Sequence, residues 1–178
     1  MNPIISINVF AYPTESFYAL GVDATDKKAI RRLFRVKHRE PGKPIALIAA
    51  DLAQVKRFFH LSQEELKLAK KYWPGALTII LRPKAKIAAR ALGARRIGVR
   101  VPQHANARKL CKLAGVPLTA TSANISGQPP TKSYYKIKKD FPDIMVIPGR
   151  CGRSTKPSTV VSVKKNGIEI TRPGAIRL

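Results

Sequence analysis

The chain has 178 residues, 44% of them hydrophobic, with 34 Lys and Arg against 10 Asp and Glu, a formal net charge of +24 and a pI near 10.7. That length suits a single domain over residues 1–178 with a real core. No apolar run reaches a membrane span, and "MNPIISINVF" lacks the charged flank and cleavage site of a secretory signal.

In chain order, "INVFAY" (residues 7–12) predicts a strand ending at Pro13. Residues 26–37, "DKKAIRRLFRVK", place Ala29, Ile30, Leu33, Phe34 and Val36 at helical spacing, with Thr25 or Asp26 available as cap. "PIALIAA" (44–50) is a short continuous apolar run and predicts a buried strand. Two helices follow, "DLAQVKRFF" (51–59) and "SQEELKLAKKYW" (62–73). Ser62 and Glu65 make a capping box at the start of the second, and "PGA" ends it.

"LTIILR" (77–82) and "IGVRV" (97–101) predict strands, the latter alternating around Arg100. "ANARKLCKLAG" (105–115) predicts a helix closed by Gly115, with Cys111 on its apolar face, and "VPLTAT" (116–121) another buried strand. "TKSYYKIKKDF" (131–141) is a basic helix, and "IMVIPG" (144–149) a short strand. "STVVSVKKNGIEITRPG" (158–174) is a hairpin turning at Asn166-Gly167. Strands alternating with helices argue for an α/β domain with a mixed sheet. Ligands in such sheets sit beyond the carboxyl ends of strands, which is where the polar segments fall.

The two cysteines, Cys111 and Cys151, stand far apart and form no CxxC pair, so neither a disulfide framework nor a zinc site is indicated. A reducing cytoplasm is the expected compartment. The cations are spread along the whole chain. That pattern points to a charged face on a folded domain and to a polyanionic partner, nucleic acid or nucleotide.

Four polar segments stand out. "YPTESFYALG" (12–21) offers the hydroxyls of Thr14 and Ser16 after a fixed Pro13. "KHREPGKP" (37–44) closes the first helix, and Lys37 and Arg39, two residues apart, share no helical face. Such a pair suits a phosphate, Arg as a planar fork and Lys as a point charge; cationic capping of the helix end explains it equally well. "TSANISG" (121–127) packs hydroxyls, an amide and a glycine into seven residues, either to bind sugar and phosphate oxygens or as plain turn chemistry. "RSTKPSTVV" (153–161) and "TRPGAI" (171–176) border strands with Thr155, Ser158, Thr159 and Arg172.

No Walker motif, no G-x-G-x-x-G and no G-x-S-x-G nucleophile elbow is present, and His38, His60 and His104 stand in no triad-like context. Carboxylates are too scarce for a protein-built divalent metal cage, so magnesium is expected to ride on substrate phosphates. Cations, hydroxyls and backbone make a site that orients anions rather than one that attacks covalently.

Taken together the segments resemble the YrdC/Sua5 family of threonylcarbamoyl-adenylate synthases. "PTESFYALG", "KHR", "WPGALT", "VRVPQH", "SANISG", "PSTVV" and "RPG" match the family pattern in order, from about Val9 to Ile176. The resemblance implies a twisted open mixed β-sheet flanked by helices, with a basic concave cavity (a YrdC/RibB-like fold). It implies formation of threonylcarbamoyl-AMP and pyrophosphate from L-threonine, bicarbonate and ATP carried with Mg2+. The product then feeds the t6A modification of adenosine 37 in tRNA through a separate transferase complex. Some members bind RNA directly, so tRNA or double-stranded RNA is an expected partner, and a membrane is not.

Carried over residue by residue, the resemblance puts Lys37 and Arg39 on the ATP phosphates as catalytic cations. Ser122 and Asn124 fall at the nucleotide and carbamate, and Arg172 at the nucleotide. Thr14, Tyr18, Arg100 and Ser158 fall at the threonine, with Thr78 as a further wall residue. The chain starts almost at the first strand, without the N-terminal helix usual in the family. Glu40 stands where proline is common, and the chain ends soon after "RPG", like the short single-domain members. A different class of reading is a non-catalytic RNA-binding module in tRNA or ribosome maturation. It is supported by charge but shows no RNP-like aromatic pattern or GXXG loop.

Overall fold

A computed structural model describes residues 9–40, 45–88 and 95–178. The first strand, β1 (Phe10–Pro13), turns through residues 14–17 into β2 (Tyr18–Gly21), and the two pair antiparallel with Pro13 opposite Tyr18. The second of these strands was not expected, because its polar approach reads as loop. All eight residues of the pair are buried.

Helix α1 (Lys27–Val36) is capped by Asp26, whose side chain accepts from the N–H groups of Lys28 and Ala29 at 2.7 and 3.1 Å. Thr25 instead donates its hydroxyl to Asp23 at 2.6 Å. Ala29, Ile30 and Leu33 are buried and Lys27, Lys28, Arg31, Arg32 and Arg35 exposed, so the amphipathic pattern is realised. The apolar run after it yields only β3 (Leu47–Ile48); its Pro44 lies outside the described residues. Helices α2 (Leu52–Phe58) and α3 (Gln63–Tyr72) flank the short strand β4 (Phe59–His60). The Ser62–Glu65 capping box is formed in both directions, at 2.7 and 3.2 Å.

After the cis Trp73–Pro74 bond come β5 (Leu77–Pro83) and β6 (Ile97–Arg100). Helix α4 (Ala105–Ala114) is capped by His104 and closed by Gly115 at φ 69°. The strand expected over 116–121 is split into β7 (Leu118–Thr119) and β8 (Thr121–Ser122). Helix α5 (Tyr134–Asp140), β9 (Met145–Val146), β10 (Thr159–Lys164) and β11 (Gly167–Arg172) complete the chain. The hairpin turn is one residue earlier than expected: Lys164 pairs with Gly167, and that glycine, at φ 121°, starts the returning strand.

The strands form two hydrogen-bonded groups. One has the order β8-β2-β1-β9, and the other β11-β10-β5-β6-β3-β7, with β4 against β5. Parallel pairs (β1 with β9, β3 with β6, β5 with β10) mix with antiparallel ones, so the α/β mixed-sheet reading holds. The split at Ala120 is why there are two groups: β7 pairs with β3, and β8 pairs with β2. The two are sewn together just past β2. Val22 N–H donates to Thr119 Oγ1, and Thr119 N–H to Val22 O, both at 3.0 Å. Tyr12 Oη donates to Thr119 O at 2.8 Å. Among the described residues no helix is long and apolar enough to cross a membrane.

Thr119 is 1% exposed, so replacing its hydroxyl by a methyl strands the Val22 N–H in the core. Thr119→Val is expected to cost about 1–3 kcal/mol, the range for an orphaned buried donor. Urea unfolding should show this as a lower midpoint at unchanged slope.

Candidate active site

The residues singled out by sequence lie at strand ends, but not all at carboxyl ends. Thr14 follows β1, Arg100 ends β6, Ser122 ends β8 and Arg172 ends β11. Thr78 and Ser158 lie instead at the amino ends of β5 and β10. The mixed strand directions explain this: β6 and β11 run antiparallel to β5 and β10, so their last residues adjoin the others' first.

Helix α1 delivers the first cations. Arg39 N–H returns to Phe34 O at 2.9 Å and His38 N–H to Arg35 O at 3.0 Å, with His38 left-handed at φ 50°. This is a Schellman ending with histidine where glycine is usual. It turns the chain back and sends Lys37 inward, 3% exposed. The Lys37 ammonium does not cap its own helix. It donates to Ser122 O at 2.5 Å, Asn124 O at 2.9 Å and Asn124 Oδ1 at 3.3 Å. Ser126 N–H donates back to Lys37 O at 3.1 Å. Two segments 85 residues apart are thereby one unit.

The "SANISG" loop is also held by turn chemistry. Asn124 Nδ2 donates to Ile125 O at 2.9 Å and Gln128 O at 2.6 Å. The turn-chemistry alternative is thus realised: the amide shapes the loop, and the loop carbonyls receive the Lys37 ammonium. Burial pulls the Lys37 ammonium down to about 8, and the charge of Arg39 adds to the effect.

The turn of residues 14–17 joins this unit to the rest. Ala123 N–H donates to Tyr18 O at 2.8 Å on one side. On the other, Gly152 N–H donates to Thr14 O at 2.9 Å and Ser154 N–H to Glu15 O at 3.2 Å. A Cβ on Gly152 would lie 2.4 Å from Glu15 O, so only glycine permits that approach. Thr14 Oγ1 donates to Phe17 O at 2.7 Å and Tyr18 Oη to Gly149 O at 2.8 Å, so both hydroxyls brace the turn.

A cavity of about 440 Å³ opens beside this turn, its wall including Glu15, Ser16, Arg100, His104, Lys156 and Ser158. Arg100 meets the Glu15 carboxylate in an ion pair, and both side chains are largely buried. Burial holds the Arg100 guanidinium down to about 10; Tyr12 acts upward and the charge of Arg172 acts downward. Ser158 Oγ lies 2.8 Å from Thr78 Oγ1, and Arg172 Nη2 donates to Ser158 O at 2.7 Å. The "RPG" glycine explains that closeness, because a Cβ on Gly174 would fall 2.5 Å from the Ser158 backbone.

The predicted residues thus form two clusters on either side of one turn. Lys37 touches Asn124, on a loop that also holds Ser122, and Arg39 follows in the cap; Arg100 and Ser158 line the cavity, and Thr78 and Arg172 bond to Ser158 behind it. Tyr18, 1% exposed, is enclosed rather than part of the cavity wall. Sequence reading missed Glu15 and His104. Both stand inside quoted motifs, and the clue was a lone carboxylate in a cationic chain. His104 caps α4 through Nδ1 and places Nε2 3.1 Å from Arg150 O.

Among the described residues no three His, Cys, Asp or Glu side chains are grouped to hold a metal ion. The cavity carboxylate faces a guanidinium instead.

A family model described as "Telomere recombination", covering Sua5, YciO and YrdC proteins, matches residues 6–174. The chain is 37% identical over 164 residues to a threonylcarbamoyl-AMP synthase of Chromobacterium violaceum, covering 90% of this chain and 84% of that one. It is 36% identical over 173 residues to a threonylcarbamoyl-AMP synthase of Pyrococcus abyssi, covering 94% of this chain and about half, 51%, of the relative. The crystal structure of P. abyssi Sua5 complexed with L-threonine superposes with a TM-score of 0.86 at 34% identity, over 94% of this chain and 50% of the other. Motifs, fold and relatives agree: the chain belongs to the Sua5/YrdC family.

Proposed function

We propose that this protein is an L-threonylcarbamoyladenylate synthase, a nucleotidyltransferase that converts L-threonine, bicarbonate and ATP into threonylcarbamoyl-AMP, pyrophosphate and water. The observation that carries the reading is the union of Lys37 of "KHR" with the "SANISG" loop, in a fold whose cavity is walled by Arg100 and Ser158. The relatives' names and the threonine complex of the P. abyssi protein support the substrate assignment.

In this mechanism the cavity takes the amino acid, with Arg100 on its carboxylate and Ser158 near its hydroxyl. Thr14 and Tyr18 keep the turn rigid beneath it. The threonine nitrogen bonds to the bicarbonate carbon, and loss of water gives a carbamate. A carbamate oxygen then attacks the α-phosphorus of ATP, the bond to the bridging oxygen breaks, and pyrophosphate leaves with that electron pair. Lys37 and Arg39 hold the phosphates and meet the charge that builds on them, Ser122 and Asn124 offer neutral contacts to the nucleotide, and Arg172 closes the nucleotide side. Catalysis is then mostly positioning and charge stabilisation. Magnesium enters with ATP as part of the substrate, and no step is assigned to it.

The proposal includes a basic concave surface around this edge, a cytoplasmic setting, and hand-over of the product to a t6A transferase complex. Direct contact with tRNA or double-stranded RNA has its own support in α1. Lys27, Arg31 and Arg35 repeat every four residues on an exposed face that also carries Lys28 and Arg32. Like charges at that spacing destabilise a helix, which a polyanion would relieve. The second reading, a non-catalytic RNA-binding module, rests on the same face. Tight, salt-sensitive tRNA binding without pyrophosphate release would select it.

Pyrophosphate release from ATP should require both threonine and bicarbonate, and Lys37→Ala and Arg39→Ala should each lose about 10²-fold or more in rate. Near-normal turnover of both variants would refute the assignment of charge stabilisation to this pair.

The pH dependence has a defined sign. Lys37 is lowered from 10.5 to about 8, so its cation is present below that pH and lost above it. Between about 8 and 10.5 the unfolded chain binds the extra proton, so this residue's contribution to stability rises with pH there. ATP affinity should do the opposite and weaken as pH climbs through about 8. Calorimetric titration of wild type and Lys37→Arg checks this, the arginine variant staying flat because it cannot deprotonate there.

A further inference from the structure

Residues 149–154 run as a strap along one side of the cavity and bring Gly152, Arg153 and Ser154 into its wall. They belong to no helix or strand. Side chains from three other elements hold their carbonyls instead. Tyr18 Oη donates to Gly149 O at 2.8 Å, His104 Nε2 to Arg150 O at 3.1 Å and Lys132 Nζ to Gly152 O at 2.9 Å. Of these three donors, His104 alone also lines the cavity.

The contacts around the cavity close a circuit. Gly152 N–H and Ser154 N–H hold the backbone of Thr14 and Glu15, and the Glu15 carboxylate meets Arg100. From Arg100 the chain runs directly to His104, stiffened where Arg108 Nη1 donates to Pro102 O and Gln103 O, both at 2.8 Å. His104 then returns to the strap through Arg150 O. One neutral form of the imidazole serves both of its contacts. Nδ1 accepts from Ala107 N–H at 3.4 Å as the cap of α4, so the proton sits on Nε2, where a carbonyl needs a donor.

We infer that His104 is a positioning residue for the amino-acid substrate, its Nε2–H fixing the strap against the Arg100 segment and so setting the width of the cavity. This deepens the proposed function and rests on its placing the amino acid in that cavity. The imidazole acts through the strap, not on the reacting atoms. Arg150 is exposed, so its carbonyl turns to water when the imidazole is lost. What is lost is then a single strap position more than stability.

Substitution separates the two contacts. Asn places an acceptor where Nδ1 sits and caps a helix well, but stops short of Arg150 O. Gln places an amide N–H where Nε2 sits, but is not among the favoured caps. The test is steady-state pyrophosphate release by the full chain, with threonine and ATP varied separately and the melting temperature taken for each variant. His104→Asn should raise the threonine KM about three- to tenfold, the worth of one hydrogen bond. Its ATP KM should stay within about twofold, and its melting temperature within about 2 °C of wild type. His104→Gln should bring the threonine KM back to within about twofold while melting about 2–4 °C lower. A wild-type threonine KM in His104→Asn overturns the inference. So does an equal rise for both substrates, or a threonine KM that follows melting temperature across the variants, as a mere helix cap would give. If wild type releases no pyrophosphate in response to threonine, the proposed function fails instead, and the inference falls with it.

Discussion

Thr119 spends every polar group it has on joining two sheets. Its N–H and Oγ1 clasp both sides of Val22, and its carbonyl receives the Tyr12 hydroxyl, all in the interior. Because the chain crosses from one sheet to the other between Thr119 and Thr121, the "SANISG" loop emerges beside β2 rather than beside β3. That placement sets Asn124 under the end of α1 and, through Ala123, against the base of the 14–17 turn. The site's geometry follows from this one crossing.

Charge is handled differently at the surface and in the site. Most of the 34 cationic side chains can remain in water, where mutual repulsion is weak and screened. The few that are enclosed are compensated individually. Lys37 has three carbonyl acceptors and no carboxylate, while Arg100 has a carboxylate. Lys37 therefore keeps a charge that neutral dipoles have not cancelled. Arg100 stands already neutralised by Glu15.

Local signals in the sequence were enough for the helices and their caps. Asp26, the Ser62–Glu65 box and Gly115 each act through neighbours within four residues, and all three appear as expected. Lys37 and Asn124 were legible as chemistry, though not as a contact, because nothing local encodes an 87-residue separation. The second strand, Tyr18–Gly21, was hidden because "PTES" reads as loop and its strand identity comes from pairing with β1 and β8. The break at Ala120 was hidden for the same reason: its N–H goes to Ala46 O, a partner chosen by the fold. Glu15 was passed over because its value lies in a neighbour 85 residues away, Arg100.

The stop of α1 is also the spacing device of the site. A helix turns about 100° per residue, so positions 37 and 39 would face nearly opposite ways if the helix ran on. The single left-handed step at His38 folds the backbone over and keeps both within one corner. Insertion or loss of one residue anywhere in α1 would swing the whole corner around the helix axis and lift the ammonium off the loop carbonyls. The length of this helix is therefore far less free to drift over evolution than the identity of its outward-facing side chains.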